Sequence, residues 1–248
     1  MTNALHDSRL IQFVRSRVFT RYLPLGLAAL GVVFATVSSA GVAPVTMQDE
    51  LVYKLQSAQS NLGDNPFGNY LHSLVFSNSL SCGVDFYSCA KIMNSGFYVM
   101  FLAATGLIAT LVLGKTVGYW FVAVLSFSGV AAYVTVFMPE IMFMALVANA
   151  LAAGVLSLRY SRQFVWLSVL LLVLASLTKP HAILFLPSFF LLWSSSAVFG
   201  RSFSKLVLAG AVSSLGFLAA RALFGFLIAG QNGISPIPVG YGGSGNVP

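Results

Sequence analysis

Carboxylates are scarce in this chain: six Asp and Glu occur among 248 residues. Charged residues of both signs make up 8% of it, against about 25% in ordinary soluble domains. That shortage excludes a water-facing globular surface, and with a mean hydropathy of +0.87 it identifies an integral membrane protein. Cysteine is nearly absent. Two thiols alone make a poor zinc cage, so Cys82 and Cys89 do not suggest a metal site. Strand-like alternation is missing, which leaves a helical bundle as the architecture. The net charge of +7 does not imply nucleic acid, because no Lys/Arg-rich surface remains once the apolar segments are removed. It fits basic cytoplasmic loops and anionic lipid instead. No internal repeat stands out.

Long apolar runs are what the chain does contain. They cover roughly 23–43, 95–113, 117–138, 141–158, 164–178, 182–199 and 206–229. A span needs about 17–25 residues, so the pattern predicts an all-α, polytopic bundle of about seven transmembrane helices, the fifth of them short. Residues 1–22 form a basic N-terminal segment, with 8–22 suited to an amphipathic helix on the inner side. Residues 23–230 form the membrane module, and 231–248 a Gly/Pro-rich outer tail. Ser38-Ser39-Ala40 resembles a cleavage site. The apolar run before it exceeds the usual h-region of about 7–15 residues, so the first span reads as an uncleaved anchor.

Charge asymmetry orients the chain. Arg9, Arg15, Arg17 and Arg21 precede the first span, and Lys115, Arg159, Arg162, Arg201 and Lys205 fall in alternate loops. The opposite loops hold Lys54, Lys91 and Lys179. The positive-inside rule then makes the N-terminus cytoplasmic. Cys82 and Cys89 fall in the long outer loop 44–94, where a disulfide is expected in an oxidising compartment. A bacterial inner membrane facing the periplasm fits; an endoplasmic reticulum lumen satisfies the same physics.

The outer loop has structure of its own. Leu51, Leu55 and Ala58 recur at helical spacing within 47–60, and 69–76 suits a second short helix. The stretch "NLGDNPFGN" between them is turn chemistry. Both helices are expected at the membrane surface, apolar face down.

Most unusual polar residues converge on the outer side. Asp49 and Glu50 open the loop in "TMQDELVYK". Glu140, in "FMPEIMF", lies at the junction of spans three and four. Lys179 and His181, in "SLTKPHAIL", lie at the junction of spans five and six. Arg221 sits about 12 Å from the outer end of the last span, at about 1.5 Å per residue. Each has a structural explanation. Thr46 would cap the surface helix with Asp49 as its capping-box partner, and Glu50 would suit the helix dipole. Glu140 follows Pro139, as ordinary helix punctuation does. Lys179 would snorkel beside a hydrogen-bonded His181, and Arg221 would snorkel to outer headgroups. The functional explanation for "KPH" is a phosphate held between Lys179 and a helix start. For Arg221 it is the usual inward placement of an intramembrane charge. His72 reads as a loop or helix-surface residue and Asp85 as solvated. Tyr53, Tyr70, Tyr119, Trp120 and Trp193 read as belt or core residues.

"MQDELVY", "MPEIMF" and "TKPHAIL", in this order and on one side, resemble the GT-C superfamily of membrane glycosyltransferases. The likeness covers about residues 10–230 by topology. It implies transfer of a sugar from a polyprenyl-phosphate donor to a glycan, lipid or protein acceptor at the outer face, with inversion. Asp49 would be the general base, Glu50 its support and Glu140 a residue orienting the acceptor. Lys179, His181 and Arg221 would hold the lipid phosphate. A divalent cation, Mg or Mn, held by Asp49 and Glu140 stays open. GT-C enzymes usually have more spans and often an outer C-terminal domain, so a short or truncated, inactive member is an alternative. A lipid-linked-sugar transporter or flippase component is the other, although the charges cluster on one side rather than at the midplane. The cysteine reading gives a direct test. Unreduced, denatured protein takes up no thiol reagent, and after reduction Cys82 and Cys89 both react, as read by intact mass.

Overall fold

A computed structural model describes residues 16–41, 47–196 and 203–235. The basic segment through Arg15, the expected cap Thr46, Arg201 and most of the Gly/Pro-rich tail lie outside them. Helices dominate and no strand occurs among the described residues. A π-helical turn, Val18–Tyr22, leads into α1, Leu23–Gly41. The outer loop carries α2, Gln48–Ser57, and α3, Tyr70–Phe76. The rest follows as α4 (Phe86–Leu113), α5 (Lys115–Leu125), α6 (Glu140–Arg159), α7 (Gln163–Thr178), α8 (Leu186–Ser196) and α9 (Phe203–Ala229).

Four helical stretches are long and apolar enough to cross a membrane: Val18–Ser39, Tyr70–Leu113, Glu140–Arg159 and Phe203–Gly233. Three further apolar helices are shorter. The largest departure from the sequence pattern is the run 117–138, which does not form one helix. α5 stops at Leu125, inside "LSFSG". Ser126 turns its hydroxyl back to the Ala123 carbonyl at 2.8 Å. Ser128 accepts from the Val130 N–H at 3.3 Å and opens a 3-10 turn over Gly129–Val134. Serines that bond their own backbone compete with the helix, and apolar content alone does not register that competition. The Ser126 carbonyl left at this helix end accepts from the Tyr98 hydroxyl of α4 at 2.9 Å, satisfying an otherwise unpaired group.

Packing follows antiparallel hairpins. Gly114, at φ +95°, reverses the chain between α4 and α5 in a conformation only glycine adopts cheaply. α6 and α7 turn over residues 160–162 and pack along their length, with α4 on the far side of α6. α8 and α9 pack on each other, and α9 also on α7. The buried indole of Trp193 donates to Ser168 Oγ at 3.0 Å, and that hydroxyl donates to the Ala150 carbonyl at 2.8 Å. This relay ties α8, α7 and α6 through groups that hydrocarbon would leave unsatisfied. The outward faces of α1 and α9 stay apolar, with Leu30, Phe34, Val37, Leu215 and Leu227 all exposed. Patches of this extent mark contact with an apolar phase.

These hairpins sort the charges. Arg159 and Arg162 flank the α6–α7 turn, whereas Glu140 and Lys179 meet at the opposite end of the same pair. Lys115 and Lys205 open α5 and α9 at the first end. The outer loop caps the second. Its side chains interlock: Asn69 donates to Gln56 at 3.0 Å and Asn65 to Ser73 at 3.2 Å, all buried. Asn232, just beyond α9, donates to the Gly63 carbonyl at 3.0 Å.

Phe137 sits under this cap, fully buried. Its ring meets His72, Phe76 and Phe86, each at a centroid distance of 5.1 Å. Phe137→Ala empties the centre of that cluster. It is expected to destabilise the protein by about 3–5 kcal/mol, read as a lowered thermal midpoint in detergent.

Candidate functional site

α2 begins at Met47, whose extended backbone (φ −130°, ψ 143°) marks a helix N-cap. The capping-box acid is Glu50, not Asp49: Glu50 Oε1 accepts from the Met47 N–H at 3.0 Å. Its other oxygen, Oε2, accepts from the N–H of Phe137, 87 residues away, at 2.9 Å. Glu50 is fully buried. Asp49, one step along the helix, is exposed. A helix advances about 100° per residue, so turning Glu50 inward points its neighbour elsewhere. The apolar stripe of α2 also points away from the protein: Met47, Leu51 and Leu55 are exposed while Gln56 and Ser57 are buried.

Lys91, in the second turn of α4, is a component that sequence reading passed over. It is 4% exposed and attracted by the Glu50 carboxylate. A buried ammonium needs such compensation. The signal was there in "CAKIMN", a lone lysine near the start of a long apolar helix. Loop membership hid it. Nearby, Asn94 donates to the Val136 carbonyl at 2.8 Å. Lys54 Nζ lies over the Phe86 and Tyr87 rings at 5.2 and 5.1 Å, a cation–π arrangement. His72 is wholly buried rather than on a helix surface. It stacks on Phe137, and both ring nitrogens lack a hydrogen-bond partner among the described residues.

Glu140 opens α6 directly after Pro139, and its Oε1 lies 2.5 Å from Lys179 Nζ. Lys179 owes its place to Pro180. A residue before proline is pushed to extended backbone, and Lys179 adopts φ −149°, ψ 118°, ending α7. Both side chains of the pair are partly exposed, at 25% for Lys179 and 19% for Glu140. Glu140 Oε2 is buried without a hydrogen-bond partner among the described residues. His181 follows on the 3-10 turn Pro180–Phe185 and is exposed. Below that turn an apolar groove of about 580 Å³ runs between α8 and α9, lined by Ile183, Leu186, Pro187, Phe190, Leu191 and Ser214.

Arg221 is engaged elsewhere. It is buried, and its guanidinium donates to the carbonyls of Gly233 at 2.6 Å and Ser235 at 3.1 Å. A Cβ on Gly225 would collide with the Gly233 carbonyl, so the returning chain lies flat on α9 there. Tyr70 adds a bond to the Asn232 carbonyl at 3.2 Å. The intramembrane arginine thus folds the end of α9 under the outer loop. Snorkelling does not describe it. Cys82 and Cys89 form the expected disulfide.

The structure therefore brings together Glu140 with Lys179, and joins Glu50 to the segment three residues before Glu140. It keeps Arg221 with backbone carbonyls. Among the described residues no three His, Cys, Asp or Glu side chains gather as a metal site. Asp49 and Glu140 do not make a metal cage by themselves. No family model, curated protein or solved structure matches the chain.

Replacing Arg221 with Met leaves two carbonyls without their donor. The expected cost is about 1.5–3 kcal/mol for bonds to a charged group, with faster protease cleavage beyond Ala229. Arg221→Lys does not restore protection, because an ammonium lacks the planar fork.

Proposed function

We propose that the chain is a seven-span membrane glycosyltransferase of GT-C type in a bacterial inner membrane, N-terminus cytoplasmic. On this reading α5 with the 3-10 turn after it, α7, and the Pro180–Phe185 turn continuing into α8 supply the three additional crossings. The observation that carries the proposal is the Glu140–Lys179 pair. It lies at the end of the bundle opposite Arg159 and Arg162, beside the segment that Glu50 binds. A carboxylate-bearing loop and a lysine at one membrane face suit transfer from a lipid-linked phosphate donor.

The reaction balances simply. The acceptor hydroxyl oxygen attacks the anomeric carbon as the bond from that carbon to the phosphate oxygen breaks. Asp49, exposed to the outer compartment, takes the hydroxyl proton. The polyprenyl phosphate leaves with the bonding pair, and attack opposite the leaving group inverts the centre. Negative charge grows on the departing phosphate, where Lys179 and His181 stabilise it. The apolar groove under Pro180–Phe185 suits an isoprenoid chain. Arg221 serves the fold.

Purified protein in detergent, given polyprenyl-phosphate sugar and an acceptor, tests this. Asp49→Asn is expected to lower transfer at least about a hundredfold, in the range of general-base loss, with an unchanged thermal midpoint. Full activity in that variant removes Asp49 from the chemistry. Lipid flipping in liposomes without transfer favours the transporter alternative.

A further inference from the structure

Glu50 is paired with Asp49 in sequence, and a dyad of acids invites a shared chemical role. Its surroundings argue otherwise. Both oxygens are engaged by backbone N–H groups, Met47 on one side and Phe137 on the other, and the side chain has no exposure. Helix capping accounts for Oε1 alone. An acid that merely suits a helix N-terminus stays at the surface, where its charge remains hydrated. Burial exacts a desolvation cost on Glu50 and on the nearby Lys91 alike.

The partner on the far side is a single peptide group. Its N–H, from Phe137, donates to Glu50, and its carbonyl, from Val136, accepts from Asn94. That peptide belongs to an irregular stretch before α6. The Val136 carbonyl also accepts from the Met138 N–H at 3.1 Å, so the Phe137 N–H is the group that a side chain alone satisfies. Glu140 follows three residues later, across Pro139 (φ −69°).

We propose that Glu50 is a positioning residue: its two carboxylate oxygens clamp the Asp49-bearing turn of α2 to the peptide ahead of Glu140. The distance from base to Glu140–Lys179 pair is thereby fixed. This rests on the reading of Asp49 as the base. Because Glu50 faces inward, Asp49 is turned to the exterior, and the two acids have different work.

The test uses the full chain in detergent, with Glu50→Gln and the charge-balanced double variant Glu50→Gln/Lys91→Met. Glutamine accepts from one of the two N–H groups and not both. Amide exchange, resolved to fragments covering Phe137, reads the clamp without any activity. It is expected to quicken at least about tenfold there while α7 stays protected. In transfer assays with polyprenyl-phosphate sugar, kcat is expected to fall at least about tenfold with donor KM within about twofold, the split of a lost alignment. Unchanged exchange at Phe137 in the double variant overturns the clamp. Faster exchange throughout α7 overturns it too, making Glu50 a general fold residue. A rise in KM at constant kcat places Glu50 on the substrate and overturns the positioning role. If wild-type protein transfers no sugar from any donor, the enzyme reading fails. The exchange arm then still decides whether Glu50 holds α2 to the segment before α6.

Discussion

One peptide group, between Val136 and Phe137, is the joint on which the outer half of this protein depends. It lies where the chain is neither helix nor strand, so no helix or sheet ladder pairs its N–H, and its carbonyl has one local backbone bond, from the Met138 N–H at 3.1 Å. α4 supplies Asn94 for the carbonyl and α2 supplies Glu50 for the N–H. The Phe137 ring, fixed by that backbone, fills the space under α3 against His72 and Phe76. Four separate elements, α2, α3, α4 and the approach to α6, thus agree on one geometry. In a low-dielectric setting an unpaired peptide is costly, and that cost is what makes the arrangement specific.

The same economy of polar groups governs the rest of the bundle. Trp193, Ser168 and Ala150 relay hydrogen bonds across three helices. Arg221 gathers the carbonyls of the chain leaving α9, and Asn232 passes the connection on to Gly63. Apolar burial drives association of soluble helices but discriminates poorly where the surrounding phase is itself apolar. Close approaches such as Gly225 to Gly233 and a few paired polar side chains then carry the register.

Much of the helix pattern was legible in hydropathy. α1, α6, α7 and α9 fall within a few residues of the apolar runs that predicted them, because periodicity and composition decide long helices. The run 117–138 misled, since serines at 126 and 128 act through local hydrogen bonds that a hydropathy window averages away. The separation of charges was legible too: Arg159 and Arg162 lie at one end of the α6–α7 hairpin and Glu140 and Lys179 at the other, as its connectivity requires. The roles of adjacent residues were not. Asp49 and Glu50 differ by one position, and which of them turns inward depends on where the helix begins. The helix starts one residue later than Thr46 capping would require, and that offset exchanges their environments. Lys91 escaped notice because hydropathy placed it in a loop, whereas α4 begins at Phe86 and carries it into the buried interior. Arg221 was visible as an intramembrane charge, but its carbonyl partners lie on a return of the chain that hydropathy does not announce.

These placements narrow the electrostatics of the end of the bundle that carries Glu140 and Lys179. Lys54 rests on the Phe86 and Tyr87 rings, Lys91 is buried within the attraction of Glu50, and Arg221 binds carbonyls. Three of its cations therefore serve the fold. Lys179 differs, because its partner Glu140 is itself partly exposed and has a second carboxylate oxygen without a hydrogen bond among the described residues. An ion pair reached by solvent is worth little net free energy, so this lysine contributes less to the fold than the other three cations. Pro180 sets that lysine's extended backbone and ends α7 there. One proline thus separates a charged residue, Lys179, from the apolar turn whose Ile183 lines the groove between α8 and α9.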